Sequence, residues 1–368
     1  GAIQALTGGY SFDLTKYNRA IQAKRQPGSN FKPFLYLSAL EQGRTAATLY
    51  NDAPIVFDDI DLETTWRPQN SSGQFEGPTR LRVALYTSRN LVSIRLLRDI
   101  GIQTTLDYLK KLKIPTDTMP NNLSLALGSG ALSPMEVARG FAVIANGGYD
   151  VTPYLIESIR NSNNELLYKA PDVILCDTDC DAKPATAKTP SGLSPEIQPA
   201  PRIAKRLADP QAVYIMHSIL RDVITKGTGQ RARALDRPDL GGKTGTTNEQ
   251  RDTWFSGFNN DISATAWVGF DQPAPLGRGE YGSTAALPVW MEYMKTALKD
   301  QPIAYMPQPN GIVSVRIDPA TGKRARPSQT DGVFELFREG NAPPPLETGT
   351  TAKAPKDDSG DNLSQELF

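Results

Sequence analysis

The stretch "SNFKPFLYLSALEQG" (residues 29–43) places Phe31, Phe34, Leu35, Leu37 and Leu40 nearly all round a helix rather than along one stripe. A helix apolar on every side belongs in the middle of a domain, and Gly43 ends this one. Pro33 is tolerated only in a first turn, so Ser29 and Lys32 lie in or just before the helix start. There the Ser29 N–H has no intrahelical acceptor and is free for a ligand oxygen, and the side chains at i and i+3 share one face. The positive end of the helix dipole favours an uncharged lysine, which suits Lys32 to act as a base. An isolated S-x-x-K is more often an N-cap serine beside a solvated lysine. Here no other serine has a lysine three residues on.

Outward from this helix, residues 51–79 are rich in Asp, Pro, Gly and Ser and read as a long excursion. Helical periodicity returns over 80–100 and 102–112. "SPME" (133–136) predicts a further helix, with Ser133 capping, Pro134 in the first turn and Glu136 completing a capping box, and "NGG" (146–148) ends it. Residues 171–208 are Pro-, Ala- and Thr-rich and read as a loop insertion or a domain edge. Asp209-Pro210 starts a helix to about Thr225. "ISATAWVGF" (262–270) alternates with period two, and with "GGKTGTT" and "TWFSGF" it suggests an antiparallel meander. A helix near 284–298 and a strand near 311–318 follow, then a Pro-, Thr-, Ser-, Lys- and Asp-rich tail, 341–368, read as flexible.

The start, "GAIQALTGGY", reads as strand-like (Ala2, Ile3, Ala5, Leu6) and as a chain that lacks an upstream portion. The expected fold is α+β, close to an α/β sandwich: an antiparallel sheet built from both chain ends and covered by helices, with a mostly helical subdomain. One folded domain is expected over 1–340.

The 368 residues carry 40 Lys+Arg and 40 Asp+Glu, a balance that argues against a nucleic-acid surface. No run of 18 apolar residues marks a membrane span. Cys176 and Cys180 are the only cysteines and His217 the only histidine, too few for a zinc site of four Cys/His ligands, so no metal or cofactor is expected. A local Cys176–Cys180 disulfide in an oxidising compartment is the preferred reading, with two unpaired thiols in an acidic loop as the alternative.

Two further motifs bear on chemistry. In "SRN" (88–90) a hydroxyl and an amide two residues apart on a tight loop can point into one cleft, Ser88 to relay a proton and Asn90 to hold a substrate amide. The pattern alone is weak, since "SNN" (162–164) fits it too. In "GGKTGTTNE" (241–249) a lysine and hydroxyls on a strand, with Gly245 admitting another backbone, suit an extended peptide ending in a carboxylate. Lys243, Thr244 and Thr246 would bind that carboxylate, and the Thr246 N–H would join that of Ser29 in an oxyanion hole. Strict alternation puts Lys243 and Thr244 on opposite faces, so a twisted or irregular strand is expected.

S-x-x-K, S-x-N and K-T-G fall in that order at 29, 88 and 243, the combination that marks penicillin-binding proteins and the related serine β-lactamases. With the words around them, "NRAIQAKRQPGSNFKPFLYLSALEQG", "SRNLVSIRLL", "LALGSGALSPMEVARGFAVIANGG" and "GGKTGTTNEQRDTWFSGFN", residues 1–340 resemble the transpeptidase domain of class A, bifunctional penicillin-binding proteins. The resemblance implies a D,D-transpeptidase that forms an acyl-enzyme on Ser29, releases D-alanine from peptidoglycan stem peptides and is acylated by β-lactams. It also implies a periplasmic setting, with a membrane anchor and a glycosyltransferase domain in the parent protein. A D-alanyl-D-alanine carboxypeptidase and a β-lactam receptor without turnover remain as alternatives. A β-lactamase fits less well, because Arg89 stands where its middle motif has Asp and no E-x-x-L-N segment lies between Asn90 and Lys243. With His217 in the apolar "VYIMHSIL", a Ser-His-Asp triad is not expected.

Overall fold

The computed structural model describes residues 1–59, 64–178, 180, 194 and 197–346. After the single turn α1 (Arg19–Gln22), a 3-10 turn over Gly28–Phe31 runs directly into α2 (Lys32–Glu41). Every residue of α2 from Lys32 to Leu40 is buried, as the all-round apolar pattern predicts. Its neighbours are α3 (Leu81–Tyr86), α4 (Asn90–Ile100), α5 (Ile102–Lys111) and, beyond α6 (Pro134–Ala145), α7 (Pro210–Thr225). The capping box of α6 forms between Ser133 and Glu136. Asp209 caps α7 by accepting the Ala212 N–H at 2.8 Å.

The segment 51–79 is more than a bare excursion. Its ends pair as β1 (Leu49–Asp52) with β4 (Gly77–Arg80), and β2 (Phe57–Asp59) pairs with β3 (Thr64–Trp66), all antiparallel. Beyond the antiparallel pair β5 (Ser158–Arg160) and β6 (Leu166–Lys169), the segment 171–208 is likewise not all loop. Near its ends β7 (Val173–Cys176) and β8 (Arg202–Lys205) lie parallel. Cys176 and Cys180 are disulfide-bonded. Much of 179–196 lies outside the described residues.

The central sheet has the order β11-β10-β9, from β9 (Gly241–Thr246), β10 (Asp252–Phe258) and β11 (Ser263–Gly269), and it is the expected meander. β10 is buried on both faces. Trp254 and Phe258 face the large cluster around α2, α4, α6 and α7, whereas Phe255 faces a second cluster with Leu287, Trp290 and Met294 of α8 (Leu287–Ala297). The period-two reading of β11 holds: Ala264, Ala266 and Val268 pack on the second cluster and Trp267 on the first.

Two expectations about the sheet fail. The N-terminal stretch forms no strand, only a single parallel bridge from Ala2 to Tyr154. The C-terminal strand β12 (Ile312–Ile317) pairs with β13 (Val333–Arg338) in a separate ribbon. Among the described residues the two chain ends therefore build no common sheet. Of the segment read as a tail, Asn341 donates to the Gly43 carbonyl at 3.1 Å and Ala342 packs on the β12–β13 ribbon. Residues 347–368 lie outside the described ones.

Candidate active site

Three stretches of chain meet where the α2 start, the α3–α4 connection and the open edge of β9 come together. Ser29 is the second residue of the 3-10 turn and Lys32 the first of α2. Ser88 sits between α3 and α4 with φ of 64°, a left-handed conformation that costs a non-glycine residue energy and recurs at functional sites. Asn90 opens α4.

Hydrogen bonds tie the motifs together. Lys32 Nζ donates to the Ser88 carbonyl at 2.7 Å, to Asn90 Oδ1 at 2.7 Å and to the Ser88 hydroxyl at 3.4 Å. Lys243 Nζ donates to that same hydroxyl at 2.8 Å and to the Thr244 carbonyl at 3.0 Å. Ser88 thus stands between two lysines, both 0% exposed. For the Ser29 hydroxyl no hydrogen-bond partner is found among the described residues.

Two cationic ammoniums cannot share one buried hydroxyl without cost, and the pKa shifts reflect it. Lys32 is held well below its ordinary value, first by burial and then by repulsion from Lys243, with the carboxylate of Asp52 opposing. Burial brings Lys243 down to about 7. Loss of a proton from Lys32 relieves both desolvation and repulsion, which leaves an amine able to accept a proton.

The turn and the edge strand touch because two glycines allow it. A Cβ on Gly28, whose φ is +56°, would lie 2.7 Å from the Thr246 carbonyl oxygen, and one on Gly245 would lie 2.3 Å from that of Pro27. Asn30 seals the contact by donating to the Lys243 carbonyl at 2.7 Å. β9 itself is regular, pairing residue for residue with β10, so the expected distortion is absent. Lys243 reaches Ser88 from one face of an undistorted strand. Thr244 instead meets the Thr228 hydroxyl at 2.7 Å, and the Thr246 hydroxyl accepts the Gly282 N–H at 3.0 Å. A cavity of about 410 Å³ opens at the end of this strand, lined by Lys24, Gln26, Thr247, Asn248 and Arg251 among others.

Sequence reasoning missed Asn30, Thr228 and the polar props of "SRN" from the 51–79 segment: Asp52, Gln69 and Asn70. Their signals are ordinary turn and strand chemistry, so only folding reveals their partners. His217 lies buried in α7 with its ring 4.6 Å from that of Phe258 and its pKa pushed down to about 4 by burial. That environment is a helix packing position and supplies no charged imidazole to the cleft. Among the described residues no group of three or more His, Cys, Asp or Glu side chains is arranged to hold a metal ion.

Comparison with known proteins gives a consistent result. Residues 1–295 match the family described as the penicillin-binding protein transpeptidase domain. The chain is 48% identical over 370 aligned positions to penicillin-binding protein 1A of Pseudomonas aeruginosa, covering 94% of this chain and 44% of that protein. The same-named protein of Vibrio cholerae is 38% identical, covering 93% of this chain and 44% of that one. Among solved structures, penicillin-binding protein 1A from Haemophilus influenzae superposes with a TM-score of 0.82 at 36% identity, over 92% of this chain and 51% of that one. PonA1 from Mycobacterium tuberculosis, at 21% identity and a TM-score of 0.64, shares the fold. The chain spans less than half the length of the two relatives matched by sequence.

Proposed function

As the chain belongs to the penicillin-binding protein transpeptidase family, we propose that it cross-links peptidoglycan stem peptides through an acyl-enzyme on Ser29. The observation that carries this reading is the convergence of Lys32, Ser88, Asn90 and Lys243 on one hydrogen-bonded cluster beside the Ser29 turn.

In this mechanism Ser29 Oγ attacks the carbonyl carbon of the D-Ala-D-Ala amide while its proton passes to the neutral Lys32 amine. The negative oxygen that forms is held by the N–H groups of Ser29 and Thr246. Two features support that pair. No protein acceptor is found for the Ser29 amide among the described residues. Thr247 donates to the Asp252 carbonyl at 3.0 Å, and by the alternation of an antiparallel ladder this turns the Thr246 amide toward the free edge, where Gly28 lies. As the C–N bond breaks, the leaving D-alanine amine takes a proton through the Ser88 hydroxyl, which bridges Lys32 and Lys243. An amine from a neighbouring stem peptide then attacks the ester and regenerates Ser29. The charge of Lys243 attracts the terminal carboxylate, which Thr244 and Thr246, together on the other face of β9, bind through their hydroxyls, and Asn90 holds a substrate amide. β-Lactams acylate the same oxygen because their strained amide imitates the scissile one.

The reading carries with it a place of action at the periplasmic face of the inner membrane. It also implies a parent protein with an anchor and a glycosyltransferase domain. No helix among the described residues is long and apolar enough to cross a membrane.

Mass spectrometry after incubation with benzylpenicillin tests the proposal. A single adduct is expected on the peptide containing Ser29, absent in Ser29→Ala; an adduct that survives this substitution overturns the assignment. Incubation with a D-Ala-D-Ala donor peptide should release D-alanine and, given an acceptor amine, form the cross-linked peptide. Hydrolysis alone would mark a carboxypeptidase, and an adduct without D-alanine release a receptor.

A further inference from the structure

The helix carrying Asn90 begins without a cap of its own: Arg89, at the N-cap, offers no side-chain acceptor. The missing acceptor comes from twenty residues upstream. Asn70 Oδ1 accepts the Asn90 N–H at 2.8 Å and the Leu91 N–H at 3.4 Å. Its Nδ2 donates to Asp52 Oδ1 at 2.7 Å and to the Gln74 carbonyl at 2.9 Å. All four bonding positions of this 5%-exposed amide are used, so its orientation is determined.

The next bond outward matters for the chemistry. The Gln69 carbonyl, adjacent to Asn70, accepts from Asn90 Nδ2 at 2.8 Å. With its nitrogen so engaged, the Asn90 amide turns its oxygen to Lys32. On the other side of Ser88's neighbour, Arg89 is gripped by the same segment, through Glu76, the Gln74 carbonyl and Asp52 at 3.7 Å. Asp52 is fully buried and also accepts the Glu76 N–H at 3.2 Å. The two residues that follow Ser88 are thus both clamped from the 51–79 segment.

We propose that Asn70, paired with Asp52, is a positioning residue for the acyl transfer. By gripping the start of α4 it holds the adjacent Gln69 carbonyl, which sets the polarity of the Asn90 amide, and through Arg89 and Asn90 it sets the place of the Ser88 hydroxyl between the two lysines. Asn70 touches neither substrate nor the reacting atoms. The inference rests on the Ser29 acyl-enzyme reading, since it concerns the rate at which that acyl-enzyme forms.

The test is stopped-flow acylation by a fluorescent penicillin, resolved into the limiting rate constant and the half-saturating concentration across pH, with thermal melting as a control. In Asn70→Ala the limiting rate constant should fall about 10- to 100-fold, the range expected for modest misplacement of reacting groups. Lys32, losing its Asn90 acceptor, should hold its proton less tightly, so the acid limb of the profile should move to lower pH. Loss of folded protein alone would lower amplitude and leave that limb in place.

Asn70→Asp alone sets two carboxylates against each other and should be impaired. Asp52→Asn with Asn70→Asp exchanges donor and acceptor within the pair, keeps the oxygen that caps α4 and preserves net charge, while the Gln74 carbonyl loses its donor. It should acylate faster than either single change, a coupling that independent sites would not show. This exchange carries the test should Asn70→Ala not fold. Parent-like kinetics and pH profile in folded Asn70→Ala, or an exchange no better than its single changes, overturns the proposal. An adduct that persists in Ser29→Ala overturns the acyl-enzyme reading instead, so the two failures are distinct.

Discussion

Segments 51–79 and 171–208 look alike in sequence: both are polar and rich in turn-forming residues, and both interrupt runs of clear helical periodicity. In the fold both also contain paired strands. They differ in where their polar groups go. In the first, Asp52 and Asn70 are buried, and their bonds lead to Arg89 and Asn90. In the second, among the described residues, the buried Gln198 donates to the Ala170 carbonyl at 3.3 Å, but the ion pair lies at the surface: Arg206 stacks 4.0 Å from the Tyr149 ring and pairs with exposed Asp177, while Val173, Ile174 and Leu175 face solvent. A buried polar network fixes geometry, because each partner lost leaves another group unpaired in low dielectric; an exposed pair is readily replaced by water.

The largest effect should separate the two carboxylates. Asp52→Ala leaves the Asn70 amide, the Glu76 N–H and Arg89 short of an acceptor, and a broken buried pair of this kind costs about 3–5 kcal/mol. Asp177→Ala removes a side chain that is 60% exposed, and urea unfolding should show little change. Equal losses would break the contrast.

A smaller but more pointed difference should appear in pH dependence. Acylation efficiency should be bell-shaped, rising as Lys32 gives up its proton and falling as Lys243 gives up its own, near pH 7. The negative charge of Asp52 supports the protonated form of Lys32. Asp52→Asn removes that support, so the folded-state pKa of Lys32 drops further and the acid limb moves to lower pH, while the alkaline limb stays. Asp177 perturbs neither lysine, and Asp177→Asn should leave both limbs where they are. A shift in the Asp177 variant, or a fixed acid limb in folded Asp52→Asn, would contradict the assignment of roles.

Much of the molecule was legible before folding because its signals are local. The capping box at Ser133 and Glu136, Asp209-Pro210 at the start of α7 and the period-two run of β11 each occupy a few consecutive residues, and each appears as read. The first and third motifs were legible because their residue types are rare in that spacing, the second by its order between them, and the fold brings all three together. What was not legible depends on partners far along the chain. Asn70 next to Gln69 looks like loop, and nothing local says that it caps a helix twenty residues later. The N-terminal stretch has strand-like residues, yet a strand exists only with a partner, and Tyr154 provides a single bridge. Lys243 illustrates the same limit: its face of β9 follows from alternation, but its two-lysine environment follows from where α2 begins.

The smallest effect is expected at the Cys176–Cys180 disulfide, the one covalent cross-link of the second segment. It closes a loop of only four residues in sequence separation, for which loop-closure entropy gives about 2 kcal/mol as an upper figure. Cys176 is only partly buried and follows the exposed run Val173–Leu175, so few packed contacts depend on it. Cys176→Ser with Cys180→Ser should therefore lower the urea midpoint slightly and leave the rate and pH profile of penicillin acylation unchanged. If acylation instead fell as far as in Asn70→Ala, the second segment would have to reach the cleft by a route its surface contacts do not provide. The distinction between a bracing segment and a peripheral one would then have to be drawn by covalent constraint rather than by buried polar bonds.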